Sequence, residues 1–226
     1  KQYVDIVRND LTNGREKESR HGGKTLSLTG IMIKHNWSQG FPLLTTKYIP
    51  FPLIASELEF FIRGKTNKEW LQERNNHIWD EWCNPQKVPY GHSQETKKKM
   101  EKEKDLGPIY GYQWRHFNAP YKGPNKDYEG EGVDQLKKVV RLIKEKPYSR
   151  RILVSAWNPE QQGKMALPPC HIEFQILVNN DTLDLIWRQR SVDVMLGLPF
   201  NIASYALLQH LLCKETGYNP GSLTGF

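Results

Sequence analysis

Cysteine is scarce in this chain of 226 residues, with three copies, at 83, 170 and 213, and no CxxC pair among them. An odd count without paired spacing argues against a disulfide framework and against a zinc site, and a reducing cytoplasm is the simpler setting. Long apolar runs are missing too. None approaches the roughly eighteen residues needed to cross a bilayer, and the amino-terminal Lys1-Gln2-Tyr3-Val4-Asp5 lacks the apolar core of a signal peptide. A soluble cytoplasmic protein with no membrane partner and no metal is therefore expected. The chain has neither an internal repeat nor a low-complexity tract, which excludes solenoids and fibrous arrays.

Acidic residues are in deficit: 32 Lys and Arg against 25 Asp and Glu give a formal charge of +7. That balance suits an acidic partner, whether RNA, a phosphorylated metabolite or a polyglutamylated cofactor. Much of the excess is local, as in Lys97-Lys98-Lys99 and the mixed run Glu101-Lys102-Glu103-Lys104. No aromatic residue is interleaved there to stack on bases, so RNA binding has no specific support. With 38% hydrophobic and 11% aromatic residues the chain can bury one sizeable core, and a single domain over 1–226 is expected.

Periodicity predicts the elements. Tyr3, Val4, Ile6, Val7 and Leu11 have helical spacing over 2–13, ending near Gly14, and the alternation from Thr25 to Ile33 reads as a half-buried strand. Residues 54–62 read as a buried helix that carries two carboxylates, Glu57 and Glu59. A carboxylate in such a helix either reaches solvent or an arginine, or handles protons with a raised pKa. From Cys83 to Lys104 the chain turns polar, which predicts an inserted surface segment.

A helix over 133–143 and a strand over 152–156 follow. Ile172, Phe174, Ile176 and Val178 alternate, Asn179-Asn180-Asp181 supplies turn chemistry, and Leu183, Leu185 and Trp187 alternate again, which predicts a hairpin. Such a hairpin brings Cys170, at the start of one strand, close to Arg190, just past the end of the other. The stretch from Pro199 to Cys213 is apolar nearly all round, as in a central buried helix.

Leu167-Pro168-Pro169-Cys170-His171 is the most distinctive stretch, because two prolines stiffen the approach to a cysteine beside a histidine. A lone cysteine is more often a small buried apolar side chain than a nucleophile. Here Arg188 to Asp193 and Leu198 to Tyr205 add guanidinium, hydroxyl, carboxylate and carboxamide groups suited to a small anionic substrate.

These blocks resemble the thymidylate synthases and their pyrimidine hydroxymethylase relatives. The matching segments are FPLLTTK at 41–47, IWDEW at 78–82, LGPIYGYQWR at 106–115, SRRILVSAWNP at 149–159, MALPPCH at 165–171 and QRSVDVMLGLPFNIASYALL at 189–208. The resemblance implies an α+β fold, a large mostly antiparallel sheet covered by helices, paired sheet to sheet in a homodimer. It implies methylation of dUMP to dTMP with 5,10-methylenetetrahydrofolate as co-substrate, the alternatives being hydroxymethylation of dUMP with the same folate or a non-catalytic relative that binds nucleotide or RNA. Cys170 matches the nucleophile that adds to uracil carbon 6. Glu57, Tyr110, His171 and Asp193 match groups that move protons or support the chemistry.

Arg20, Arg190 and Ser191 match one subunit's phosphate ligands, and Arg150 and Arg151 the pair donated by the other subunit. Gln189 and Asn201 match contacts to the base, with asparagine at 201 pointing to uracil where an aspartate would suit cytosine. Trp79, Trp82, Leu167, Asp193 and Gly197 match the folate site. The chain departs from the family at His21-Gly22-Gly23-Lys24-Thr25, at Tyr48 to Pro52 and at Arg188. It also stops at Phe226, before the family's carboxy-terminal part, so weak dUMP binding and slow turnover are expected.

Overall fold

The computed structural model describes residues 1–19 and 22–226. Five strands form the main sheet in the order β3 (Ile33–Asn36), β7 (Asn219–Gly225), β6 (Thr182–Gln189), β5 (His171–Asn179) and β4 (Leu153–Ser155). All neighbours are antiparallel except β6 and β7. An outlying antiparallel pair, β1 (Arg15–Glu18) and β2 (Lys24–Ser27), lies apart from it.

One face of the sheet carries the core. Val154, Phe174, Ile176, Val178, Leu183, Leu185, Trp187 and Leu223 are all buried on it. Helices α5 (Tyr110–His116), α6 (Gln135–Glu145) and α7 (Gly197–Thr216) pack over that face, and α2 (Phe51–Ile62) packs against α5 and α7. Pro52 suits the first turn of α2, where its missing N–H is no loss. The Asp134 carboxylate caps α6 by accepting from the Lys137 N–H, and it also holds two of the three Arg115 nitrogens, Nε at 3.0 Å and Nη2 at 2.8 Å. Gly217, at φ 81°, ends α7 in the left-handed conformation that glycine adopts without a steric penalty. The opposite face, with Leu153, Gln175, Leu177 and Ile186, is only partly covered.

The hairpin forms as the alternation predicts, with Asn180 in the left-handed region at φ 54°. One expectation within it fails. Alternation would send Ile172 inward with Phe174, but a β-bulge between His171 and Glu173 inserts an extra residue, so His171 is the one buried. Bulges re-aim side chains in this way. The strand expected over 25–33 is also two pieces, β2 and β3, separated by Gly30 at φ 73°, and β2 is mostly exposed rather than half-buried.

Helix α1 (Gln2–Asn13) matches its expected span and buries only Tyr3 and Ile6. The polar stretch 83–104 contains α4 (Gln94–Lys102), whose N-cap Ser93 accepts from the Thr96 N–H. Met100 of α4 and Cys83 are buried. The clamp there is Lys68, which precedes α3 (Glu69–Gln72) and is 0% exposed. Its Nζ donates to the carbonyls of Asp80 at 2.8 Å, Trp82 at 2.9 Å and Met100 at 2.7 Å, using all three protons. Burial lowers its pKa, and among the described residues no ion pair neutralises it.

Lys68→Met keeps the stem but leaves three buried carbonyls without a partner. A loss of roughly 3 kcal/mol in unfolding free energy is expected in urea melts. A loss under about 1 kcal/mol would show that water replaces the ammonium.

Candidate active site

Cys170 sits half-buried at the foot of β5, delivered by the rigid Pro168-Pro169 pair. Its backbone N–H donates to the Tyr110 Oη at 2.8 Å. That phenol oxygen is therefore already accepting, and its own proton is free to be given away. Burial, then the proximity of Cys170, holds the Tyr110 pKa well above its ordinary value, so it stays a neutral donor.

Arg190 lies where the hairpin brings it. Its N–H donates to the Cys170 carbonyl at 2.9 Å, its Nε to the Pro169 carbonyl at 2.8 Å and its Nη2 to the Pro168 carbonyl at 2.9 Å. Nη2 then stands 4.0 Å from Cys170 Sγ, which places a positive charge beside the sulfur. The guanidinium also lies 5.6 Å from the Trp157 ring centroid.

Behind the cysteine, the bulge places His171 against the aromatic core. Its ring stacks on Tyr110 with centroids 4.1 Å apart, and its Nδ1 shares a hydrogen bond with the Tyr205 hydroxyl at 2.7 Å. Burial holds its pKa down to about 3, so the imidazole is neutral at physiological pH. In the sequence Tyr205 stands only as the end of the Leu198 to Tyr205 block, with no role of its own. Its spacing of four residues from Asn201 on α7 is the signal that could have found it, because such pairs share a helix face.

Glu57, on α2, accepts from the Trp79 Nε1 at 2.8 Å. Desolvation pushes its carboxyl up to about 7, although the Trp79 hydrogen bond pulls the other way. Phe61, one turn further along α2, packs on Tyr110 and reaches Trp79 and His171 at longer range. Glu57, Trp79, Tyr110, His171 and Cys170 therefore form one connected group. Glu59 instead pairs with Arg63 on the partly exposed side of the same helix.

Gln189 and Asn201 meet from different elements: Gln189 Nε2 on β6 donates to Asn201 Oδ1 on α7 at 3.0 Å. Asp193 is exposed and accepts with Oδ1 from the N–H groups of Met195 and Leu196, shaping the turn that leads through Gly197 into α7. Ser191 is exposed and Leu167 half-buried. Trp82 stacks on Tyr90 with centroids 5.3 Å apart.

One pair of expected ligands is not brought to Cys170. Arg150 and Arg151 are exposed at the turn before β4, level with the part of β5 beyond Ile176. That is roughly 20 Å along the strand from Cys170, at about 3.3 Å per residue. Arg20 lies outside the described residues. Arg188 pairs with Glu173 on the other face of the sheet, away from the core.

Among the described residues no group of three His, Cys, Asp or Glu could hold a metal ion, and no helix is long and apolar enough to cross a membrane.

The arrangement is a presented thiol beside a guanidinium, with a phenol donor, a carboxyl poised near neutrality and a pair of coupled carboxamides. Residues 1–226 match a family model described as thymidylate synthase. Two bifunctional dihydrofolate reductase-thymidylate synthases are similar to the chain. That of Paramecium tetraurelia is 44% identical over 225 residues, covering 97% of this chain and 46% of its own. That of Leishmania major is 46% identical over 226 residues, covering 99% of this chain and 42% of its own. This chain thus spans less than half the length of those relatives. Match and geometry lead to one conclusion: the chain belongs to the thymidylate synthase family.

Proposed function

We propose that the chain converts dUMP to dTMP with 5,10-methylenetetrahydrofolate. The observation that carries this is the meeting of Cys170, Tyr110, Glu57 and the Gln189–Asn201 pair, which come from the foot of β5, α5, α2, β6 and α7. Cys170 Sγ, as thiolate, adds to carbon 6 of the uracil ring, and the electron pair moves to carbon 5 and oxygen 4. Carbon 5 then takes up the one-carbon unit.

The folate supplies that carbon and a hydride and leaves as dihydrofolate, while carbon 5 gives up its proton and the Cys170 thiolate is expelled from carbon 6 as the ring double bond re-forms. Trp79 and Leu167 offer an apolar wall for the folate ring, together with Trp82 and Gly197. Glu57, titrating near neutrality, and Tyr110 pass protons to and from the ring by way of water. Neutral His171 holds Tyr110 by stacking and orders water at its free nitrogen.

Arg190 and Ser191 receive the phosphate, with Arg20. Arg150 and Arg151, exposed and remote from Cys170, serve the site of a second copy. The partly covered sheet face suits the sheet-to-sheet homodimer this requires. Three free thiols suit the reducing cytoplasm.

The test is the mass of the nucleotide formed from dUMP and 5,10-methylenetetrahydrofolate. A product heavier by one methylene, with dihydrofolate formed in step, is expected. A product heavier by the elements of formaldehyde, with tetrahydrofolate unoxidised, would overturn the proposal in favour of hydroxymethylation.

A further inference from the structure

We infer that Trp187 sets the preference of the site for uracil over cytosine by locking the orientation of the Gln189 and Asn201 carboxamides. The inference rests on the dUMP reading above. A carboxamide turned by 180° exchanges its donor for its acceptor at little cost unless a neighbour fixes it. Gln189 and Asn201 form a coupled pair, so fixing one fixes the other.

The fixed point is the indole of Trp187. Its Nε1 can only donate, and it lies 2.8 Å from Gln189 Oε1. The Gln189 oxygen must therefore face the indole, and its NH2 must face Asn201 Oδ1. The Asn201 NH2 is then the end left to meet a ligand, while Oδ1 keeps a second lone pair.

The indole cannot turn to accommodate the reverse arrangement. Trp187 is 1% exposed, and its ring stacks on Tyr205 with centroids 5.3 Å apart and planes 9° from parallel. Gly225, its cross-strand partner on β7, lies so close that a methyl group there would overlap the indole. The backbone of Gln189 is held as well, its N–H donating to the Phe226 carbonyl at 2.7 Å.

Uracil presents a donor at N3 and an acceptor at O4, which the locked Asn201 matches with Oδ1 and Nδ2. Cytosine presents an acceptor at N3 and a donor at N4. To meet it Asn201 must turn, setting its NH2 against the Gln189 NH2. If Gln189 turns in response, its NH2 meets the indole N–H. Either way two part-buried donors face each other without an acceptor, and the strain ends at Trp187.

The experiment measures dissociation constants for dUMP and dCMP by calorimetry on the wild type, on Trp187→Phe, and on protein with β-(3-benzothienyl)alanine placed at 187. The last keeps the shape and stacking of tryptophan and lacks only the N–H, so it remains informative if Trp187→Phe fails to fold. The dUMP-to-dCMP affinity ratio is expected to fall about tenfold or more in both. A purely packing role would weaken both nucleotides together and leave the ratio unchanged, which would overturn the inference. A wild type that binds dUMP no better than dCMP would instead overturn the uracil reading itself, and this inference with it.

Discussion

Cys170→Ser should lower kcat by on the order of 10⁴-fold or more while leaving dUMP affinity nearly intact. The hydroxyl keeps the position, the hydrogen bond from the Cys170 N–H to Tyr110 and the Arg190 contacts to the carbonyls of Pro168 and Pro169, because all of these use backbone atoms. Only the proposed nucleophile changes. A serine hydroxyl with no base placed to deprotonate it adds poorly to a ring carbon, and here the neighbouring imidazole is buried, neutral and engaged with Tyr205. Steady-state rates together with equilibrium dUMP binding decide the matter. A variant that keeps a tenth of wild-type turnover would remove Cys170 from the chemistry, whereas joint loss of binding and rate would show a collapsed site.

Glu57→Gln has the second largest expected effect, and it moves activity and stability in opposite directions. On the mechanism proposed above Glu57 passes protons near neutrality, and its loss is expected to reduce kcat by roughly 10²- to 10⁴-fold. Stability should rise at high pH. The carboxyl titrates at an ordinary 4.5 when unfolded and at about 7 when folded, so between those values the folded state keeps a proton the unfolded state has lost.

Folding therefore loses stability progressively as pH rises from about 4.5 to 7, on the order of 3 kcal/mol in total, and the penalty stays constant above that. Glutamine escapes the penalty, and its side-chain oxygen can still accept from Trp79 Nε1. Variant and wild type are expected to melt together near pH 4.5 and to separate in favour of the variant by pH 8. A melting-temperature difference that does not change with pH would show that Glu57 is hydrated and ordinary.

Much of the architecture was legible in the chain. The alternation on either side of Asn179-Asn180-Asp181 specified the hairpin, and with it the meeting of Cys170 and Arg190, since an antiparallel pair with a tight turn leaves little freedom of register. The apolar stretch after Pro199 specified a buried helix, whereas the two carboxylates within 54–62 left both readings open, Glu57 taking the desolvated one and Glu59 the arginine. The motif blocks identified the family, and the family match over 1–226 agrees.

The tertiary structure decided the rest. The bulge that turns His171 inward in place of Ile172 cannot be read from alternation, because it depends on how β5 meets β6 and on Tyr205 waiting beneath. Gly30 divides a stretch that strand propensity alone would keep whole. Lys68 looks like any surface lysine until the fold wraps three carbonyls around its ammonium. Trp187 reads as one more inward residue of a strand, and only packing against Tyr205 and Gly225 turns its N–H toward Gln189. Local periodicity dictates which face a residue takes, whereas hydrogen-bond direction and desolvation depend on neighbours distant in sequence that only folding brings together.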